Sequence, residues 1–174
     1  MLLSMEPTAE FISEATRTER LLRELHLLNR ETGIELSLPS SGYINTFFIT
    51  LKASKGAYLG YRLTFILDLP RRWPQLPPRF LCGYRGMFHP NISPDGRVCL
   101  NLLRDDYEPS YTLVSLVLAL LCLVEEPGVE HPLNLDAAKA VERGEWKKIV
   151  SAHLQHEQVT NTSPLLGEQP VGQA

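Results

Sequence analysis

The chain has 174 residues, with 17 Lys plus Arg against 20 Asp plus Glu and a net charge of −3. At roughly 150 residues per domain it holds one domain, large enough to bury about two thirds of its unfolded surface without disulfide or metal staples. The charge argues against binding nucleic acid by bulk phosphate attraction, and the longest apolar run, Leu113–Val124, is 12 residues, short of the roughly 20 a membrane helix needs.

Met1, Leu2, Leu3 and Met5, followed by Pro7, predict a flexible arm over 1–10 with no basic region and so no secretory signal. From about Phe11 to Asn29 the apolar residues Leu21, Leu22, Leu25 and Leu28 share a stripe, which predicts a helix, with Gly33 as its left-handed cap. The period then drops to two. Ile34–Leu38, Tyr43–Lys52 and Tyr61–Leu69 read as strands of an antiparallel meander, with Lys55-Gly56 as a turn. From Pro70 to Pro109 seven prolines deny the chain long helices or central strands, leaving only Arg79–Cys82 as a strand. Thr112 caps a helix over Leu113–Val124 that is apolar almost all round and therefore central. Asn134 caps a short helix to Val141, and Gly144 precedes a last helix over Glu145–His156. Residues 157–174 have little to bury and read as a disordered tail. The layout is α+β.

Three thiols, Cys82, Cys99 and Cys122, form no closed disulfide set and point to a reducing, intracellular compartment. Gaps of 7, 10 and 23 residues across Cys82, His89, Cys99 and Cys122 match no close-paired zinc pattern, so no metal is expected. Within the irregular stretch, Asn91 follows Pro90 and Cys99 lies eight residues beyond it. A loop thiol can be exposed and reactive, and an amide near it can donate to the oxyanion formed on a thioester. The alternative is a packed loop cysteine, since free Cys is among the most buried residue types.

His89-Pro90-Asn91, followed by Cys99-Leu100, resembles the active-site signature of the ubiquitin-conjugating enzymes. Tyr58-Leu59-Gly60 and the run Pro70 to Phe80 resemble the third strand and proline-rich loop of that family. Tyr107 to Leu113 resembles its second ligase-contact loop, and Glu126-Pro127 with His131-Pro132-Leu133-Asn134 the segment facing the cysteine. The resemblance covers about 11–156. It implies the UBC fold: an N-terminal helix, a four-stranded antiparallel meander, an active-site loop, a central helix and C-terminal helices. It also implies a transferase without a cofactor. Cys99 accepts a ubiquitin-like modifier from its activating enzyme as a thioester, and a substrate lysine then attacks that thioester with a ligase holding both. Asn91 supports the loop and stabilises the oxyanion, while His89 packs within the turn. Pro74, Gln75, Pro109 and Ser110 fall where the family meets a RING-type ligase. Arg17, Arg20 and Arg23 fall where it meets the activating enzyme, the alternative being a solvated helix face. The setting implied is cytoplasmic or nuclear, with neither nucleic acid nor membrane as partner.

Asn101, the run Arg104-Asp105-Asp106, and Leu133-Asn134 followed by Ala137-Ala138 are similar to the neddylation branch of the family, whose protein substrates include cullins. The N-terminal Met1-Leu2-Leu3 then reads either as a docking arm of that branch or as plain disorder. Two positions depart from the family pattern. His131 stands where most members carry an aspartate that orients the incoming lysine. A histidine titrates near neutral pH and can accept the lysine's proton; alternatively His131 caps or packs the loop and Glu130 or Asp105 does the orienting. Gln75 replaces an aromatic that fills a ligase groove, so it contributes less apolar burial. An ordinary ubiquitin-conjugating enzyme and a non-catalytic binding module on the same fold are the competing readings.

Overall fold

The computed structural model describes residues 13–39, 45–84, 86–104 and 106–160, the last six by their backbone alone. The expected arm over 1–10, the tail from 161 onward, and Asp105 lie outside the described residues.

Helix α1 (Glu14–Leu28) begins at Ser13, whose hydroxyl accepts from the Thr16 amide, and turns Leu21 and Leu28 inward. It ends at Asn29 in the right-handed region rather than at Gly33. Gly33 does take a left-handed φ of 82°, but in the turn that feeds the sheet, where its carbonyl accepts from Lys52.

The strands β1 (Ile34–Ser37), β2 (Thr46–Lys52), β3 (Arg62–Asp68) and β4 (Arg79–Cys82) form one antiparallel sheet in sequence order. Alternation decides its faces. Ile34, Leu36, Phe47, Ile49, Leu51, Leu63, Phe65, Leu67, Phe80 and Cys82 point to the core, in register as Leu36↔Ile49↔Phe65↔Cys82 and Phe47↔Leu67↔Phe80. On the opposite face the Thr50 and Thr64 hydroxyls meet at 2.9 Å. The chain does turn at Lys55-Gly56, as part of a longer connection between Lys52 and Arg62 closed by Ala53 N–H to the Tyr61 carbonyl and Gly60 N–H to the Ala53 carbonyl.

Helix α2 (Leu113–Glu125) is capped by Thr112, whose Oγ1 accepts from Ser115 N–H at 3.0 Å. Leu113, Leu116, Val117, Leu120 and Val124 join the sheet's inner face in one core with Tyr58, Trp73, Met87, Ile92 and Trp146. Each leucine taken fully out of water there contributes roughly 2 kcal/mol. The helix is central but not covered all round, because Ser115, Leu118 and Cys122 share an outward strip. Glu24 of α1 is buried, and its Oε2 accepts from the Leu113 amide at 2.8 Å, satisfying a donor at the first turn of α2. Helix α3 (Leu135–Glu142) is capped by Asn134 through Ala137 N–H and buries Ala137, Ala138 and Ala140. Helix α4 (Trp146–Thr160) buries Trp146 and Val150 and runs four residues past the expected end at His156, so the tail expected from 157 begins as helix.

Candidate active site

Residues 89–99 fold back on themselves as a small hairpin. Isolated bridges pair His89 with Ile92 and Ile92 with Val98, and the Ser93 amide donates to the Arg97 carbonyl at 2.9 Å. The Ser93 hydroxyl donates to Asp95, and this bond, with the Arg97 guanidinium, holds the Asp95 carboxyl below its ordinary pKa. Gly96 sits at φ 90°, and its carbonyl accepts from the Cys82 amide at 2.7 Å, which docks the hairpin on β4. A Cβ at Gly96 would lie 2.8 Å from the Cys82 carbonyl oxygen, so only glycine allows that approach.

His89 anchors the base of the hairpin as a structural group, as the resemblance implies. Its Nδ1 accepts from the Asn91 amide at 3.1 Å, so the proton resides on Nε2, which donates to the Leu123 carbonyl at 3.0 Å. The ring is fully buried beside Tyr58 and Trp146, and burial lowers its pKa from 6.5 to about 4. Phe88 extends the anchor: its carbonyl accepts from Trp146 Nε1–H at 2.9 Å and from the Tyr58 hydroxyl at 3.2 Å.

Cys99 and Asn91 are brought together through the backbone, the Cys99 amide donating to the Asn91 carbonyl at 2.9 Å. The Asn91 side chain is clamped from its other side. Nδ2–H donates to the Gly128 carbonyl and Oδ1 accepts from the Gly128 amide, both at 3.0 Å. A primary amide carries two hydrogens, and the Gly128 carbonyl takes one of them. Gly128 was not among the sequence candidates; the only hint was a glycine directly after Glu126-Pro127. The segment beyond it hangs from the same hairpin, with Leu133 N–H and Asn134 N–H both donating to the Pro90 carbonyl at 2.7 and 3.0 Å. His131 sits exposed on that segment, beside the exposed Glu130.

The three thiols differ sharply. Cys82 is buried at the end of β4, its Sγ donating toward the Tyr84 carbonyl, and burial pushes its pKa up to about 12. Cys122 lies exposed on α2. Cys99 lies on the loop with only 6% of its surface exposed, more covered than the exposed loop thiol that the sequence allowed for. Among the described residues no three His, Cys, Asp or Glu side chains converge as a metal cage, and no helix is long and apolar enough to cross a membrane.

The other candidates divide. Arg17 and Arg20 do not form a solvated face: Arg17 donates to Asn45 Oδ1 at 2.8 Å, while Arg20 donates to the Tyr111 carbonyl and lies 5.1 Å over the Trp73 ring. Both are tied to residues far along the chain, and of the three only Arg23 is exposed. Pro74 is buried, with its carbonyl accepting from the Tyr107 hydroxyl at 2.8 Å, so it braces a surface rather than forming it. Gln75 is half-buried, whereas Pro109 and Ser110 are exposed.

Fold and loop together define an α+β domain with a loop cysteine whose backbone is bonded to Asn91, the Asn91 side chain being clamped by Gly128. The chain belongs to the ubiquitin-conjugating enzyme family, whose model matches residues 20–154. It is similar to the NEDD8-conjugating enzyme UBC12 of Yarrowia lipolytica, 33% identical over 133 residues that make up 75% of this chain and 74% of the relative. It is also similar to the probable NEDD8-conjugating enzyme Ubc12-like of Arabidopsis thaliana, 32% identical over 120 residues, 68% of this chain and 64% of the relative. Among solved structures, S. cerevisiae Ubc12 superposes with a TM-score of 0.68 at 33% identity, covering 76% of each chain.

Proposed function

We propose that this chain is a NEDD8-conjugating enzyme that carries the modifier on Cys99. The observation that carries the reading is the placement of Cys99 on a loop whose backbone is bonded to Asn91, with the Asn91 amide held by Gly128. In the first step the Cys99 thiolate attacks the thioester carbonyl that joins the modifier to its activating enzyme. The new C–S bond forms as the activating enzyme's thiol leaves. In the second step a neutral lysine amine attacks the carbonyl on Cys99, and the oxyanion that develops takes a hydrogen bond from the remaining Asn91 Nδ2 hydrogen. The C–S bond then breaks, the isopeptide forms, and the amine's proton passes to a base. His131 is that base in this reading, and its exposed position on the segment hung from Pro90 supports the assignment.

Pro109, Ser110 and the exposed part of Gln75 form the RING-ligase surface, braced from below by Pro74, and the lysine acceptor is a protein such as a cullin. Arg23 meets the activating enzyme, with the N-terminal arm as a second docking element. The chain works in the cytoplasm or nucleus. The test is to incubate it with ATP and, separately, each pair of activating enzyme and modifier. A reductant-sensitive adduct is expected with the NEDD8 pair alone. Loading with ubiquitin alone would move the chain to the main branch, and loading with no pair would make it a binding module.

A further inference from the structure

The last residue of α2 is a buried carboxylate that neither reaction step uses. Glu125 is 6% exposed, and its Oε1 accepts from the Ser54 amide at 2.6 Å and from the Ser54 hydroxyl at 2.8 Å. A carboxylate is tolerated in such a place only when donors fill it, and here both come from the connection between β2 and β3. That connection passes so close to the helix end that a Cβ on Gly56 would lie 2.4 Å from the Glu125 carbonyl oxygen. The neighbouring pair Lys55–Glu126 is well exposed and adds little. Three residues past Glu125, Gly128 makes both hydrogen bonds to the Asn91 side chain. Pro127 lies between them with its φ fixed by the ring, so the intervening backbone has little slack.

We infer that Glu125 is a positioning residue for transfer: its tie to Ser54 fixes where Gly128 meets Asn91 and thus how the Asn91 amide faces the acyl group on Cys99. The same connection supports the hairpin from its other side, since the Tyr58 hydroxyl donates to the Phe88 carbonyl and the Tyr58 ring packs beside His89. This inference rests on the thioester role proposed for Cys99.

The experiment charges the full chain with modifier, quenches loading, and follows discharge onto free lysine. Glu125→Ala is expected to slow discharge about tenfold, because small displacements of a reacting geometry are costly. Glu125→Gln keeps an acceptor oxygen for Ser54 and is expected to stay within about twofold of wild type. In an Asn91→Ala background, Glu125→Ala is expected to cost nothing further, since coupled residues are not additive. Discharge of Glu125→Ala at the wild-type rate, or the same loss with and without Asn91, would overturn the inference. Should Glu125→Ala not fold, Ser54→Ala removes one of the two donors at an exposed position and is expected to slow discharge roughly threefold, again only when Asn91 is present. Failure of the wild-type chain to load at all overturns the thioester role itself; a loaded chain indifferent to both variants overturns only the role of Glu125.

Discussion

Mild acid should destabilise this domain through His89. The ring is fully buried, and that burial is the main cause lowering its pKa from 6.5 to about 4, against the partial opposition of the Leu123 and Val124 carbonyls. The unfolded chain takes up this proton near pH 6.5 and the folded chain only near pH 4. Between those values the unfolded state binds more protons, so stability falls as pH falls. At about 1.4 kcal/mol per pH unit the full loss is about 3 kcal/mol, of which about 2 kcal/mol is gone by pH 5. Protonation also abolishes the Nδ1 acceptor that holds the Asn91 amide, so the active loop loosens as the domain weakens. Glu35, Asp95 and Glu126, held low by Arg62, by Ser93 with Arg97, and by Lys55 respectively, give up their contributions only below their ordinary values of 4.5 or 3.8. The window from pH 7 to pH 5 therefore reads His89. Urea unfolding across it should show wild type losing about 2 kcal/mol more than His89→Gln. Equal slopes for the two proteins would refute the reasoning.

Other substitutions probe the supports around the site. Glu24→Ala should cost about 3 kcal/mol in thermal or urea unfolding, because it orphans the Leu113 amide and removes one of the Arg20 guanidinium's partners, while Glu24→Gln should cost about 1 kcal/mol. Gly33→Ala and Gly56→Ala both force alanine to a positive φ. Gly33 faces open space and should cost about 1 kcal/mol, whereas Gly56 also meets the Glu125 carbonyl and should cost about 3 kcal/mol or more, read from denaturant midpoints. As the proton acceptor of the proposed transfer step, His131 should matter to discharge alone: His131→Ala should slow discharge of the charged chain at least about tenfold while leaving loading unchanged. Discharge at the wild-type rate in both His131→Ala and His131→Asp would remove His131 from the reaction.

Local rules made much of this architecture legible. Thr112 and Asn134 cap their helices as their side-chain chemistry predicts, and the period-two strands pair in the expected order. The spacing from Asn91 to Cys99 left a packed cysteine open, and the resemblance of His89-Pro90-Asn91 and Cys99-Leu100 to the family signature marked the loop; the hairpin that brings Cys99 N–H to the Asn91 carbonyl emerges only in the structure. What stayed hidden depends on partners distant in sequence. Arg20 reads as a surface charge until Tyr111 and Trp73 come beneath it, and nothing local to Glu24 or Glu125 shows that each accepts from a backbone amide more than seventy residues away in the chain. Gly33 misled for a related reason: its freedom at positive φ was right, but the turn into β1 used it rather than the helix end. The last helix ran long because no glycine or proline stops the chain between His156 and Thr160.

The central claim is that the loop thiol Cys99, and not the exposed Cys122, carries the modifier. The most direct measurement loads wild type, Cys99→Ser and Cys122→Ser with the NEDD8 pair and records intact mass before and after thiol reductant. Wild type and Cys122→Ser should each gain one modifier that reductant removes. Cys99→Ser should gain either none or one that reductant leaves in place, because an oxygen ester resists thiol exchange. A reductant-sensitive adduct on Cys99→Ser, lost instead in Cys122→Ser, would contradict the account.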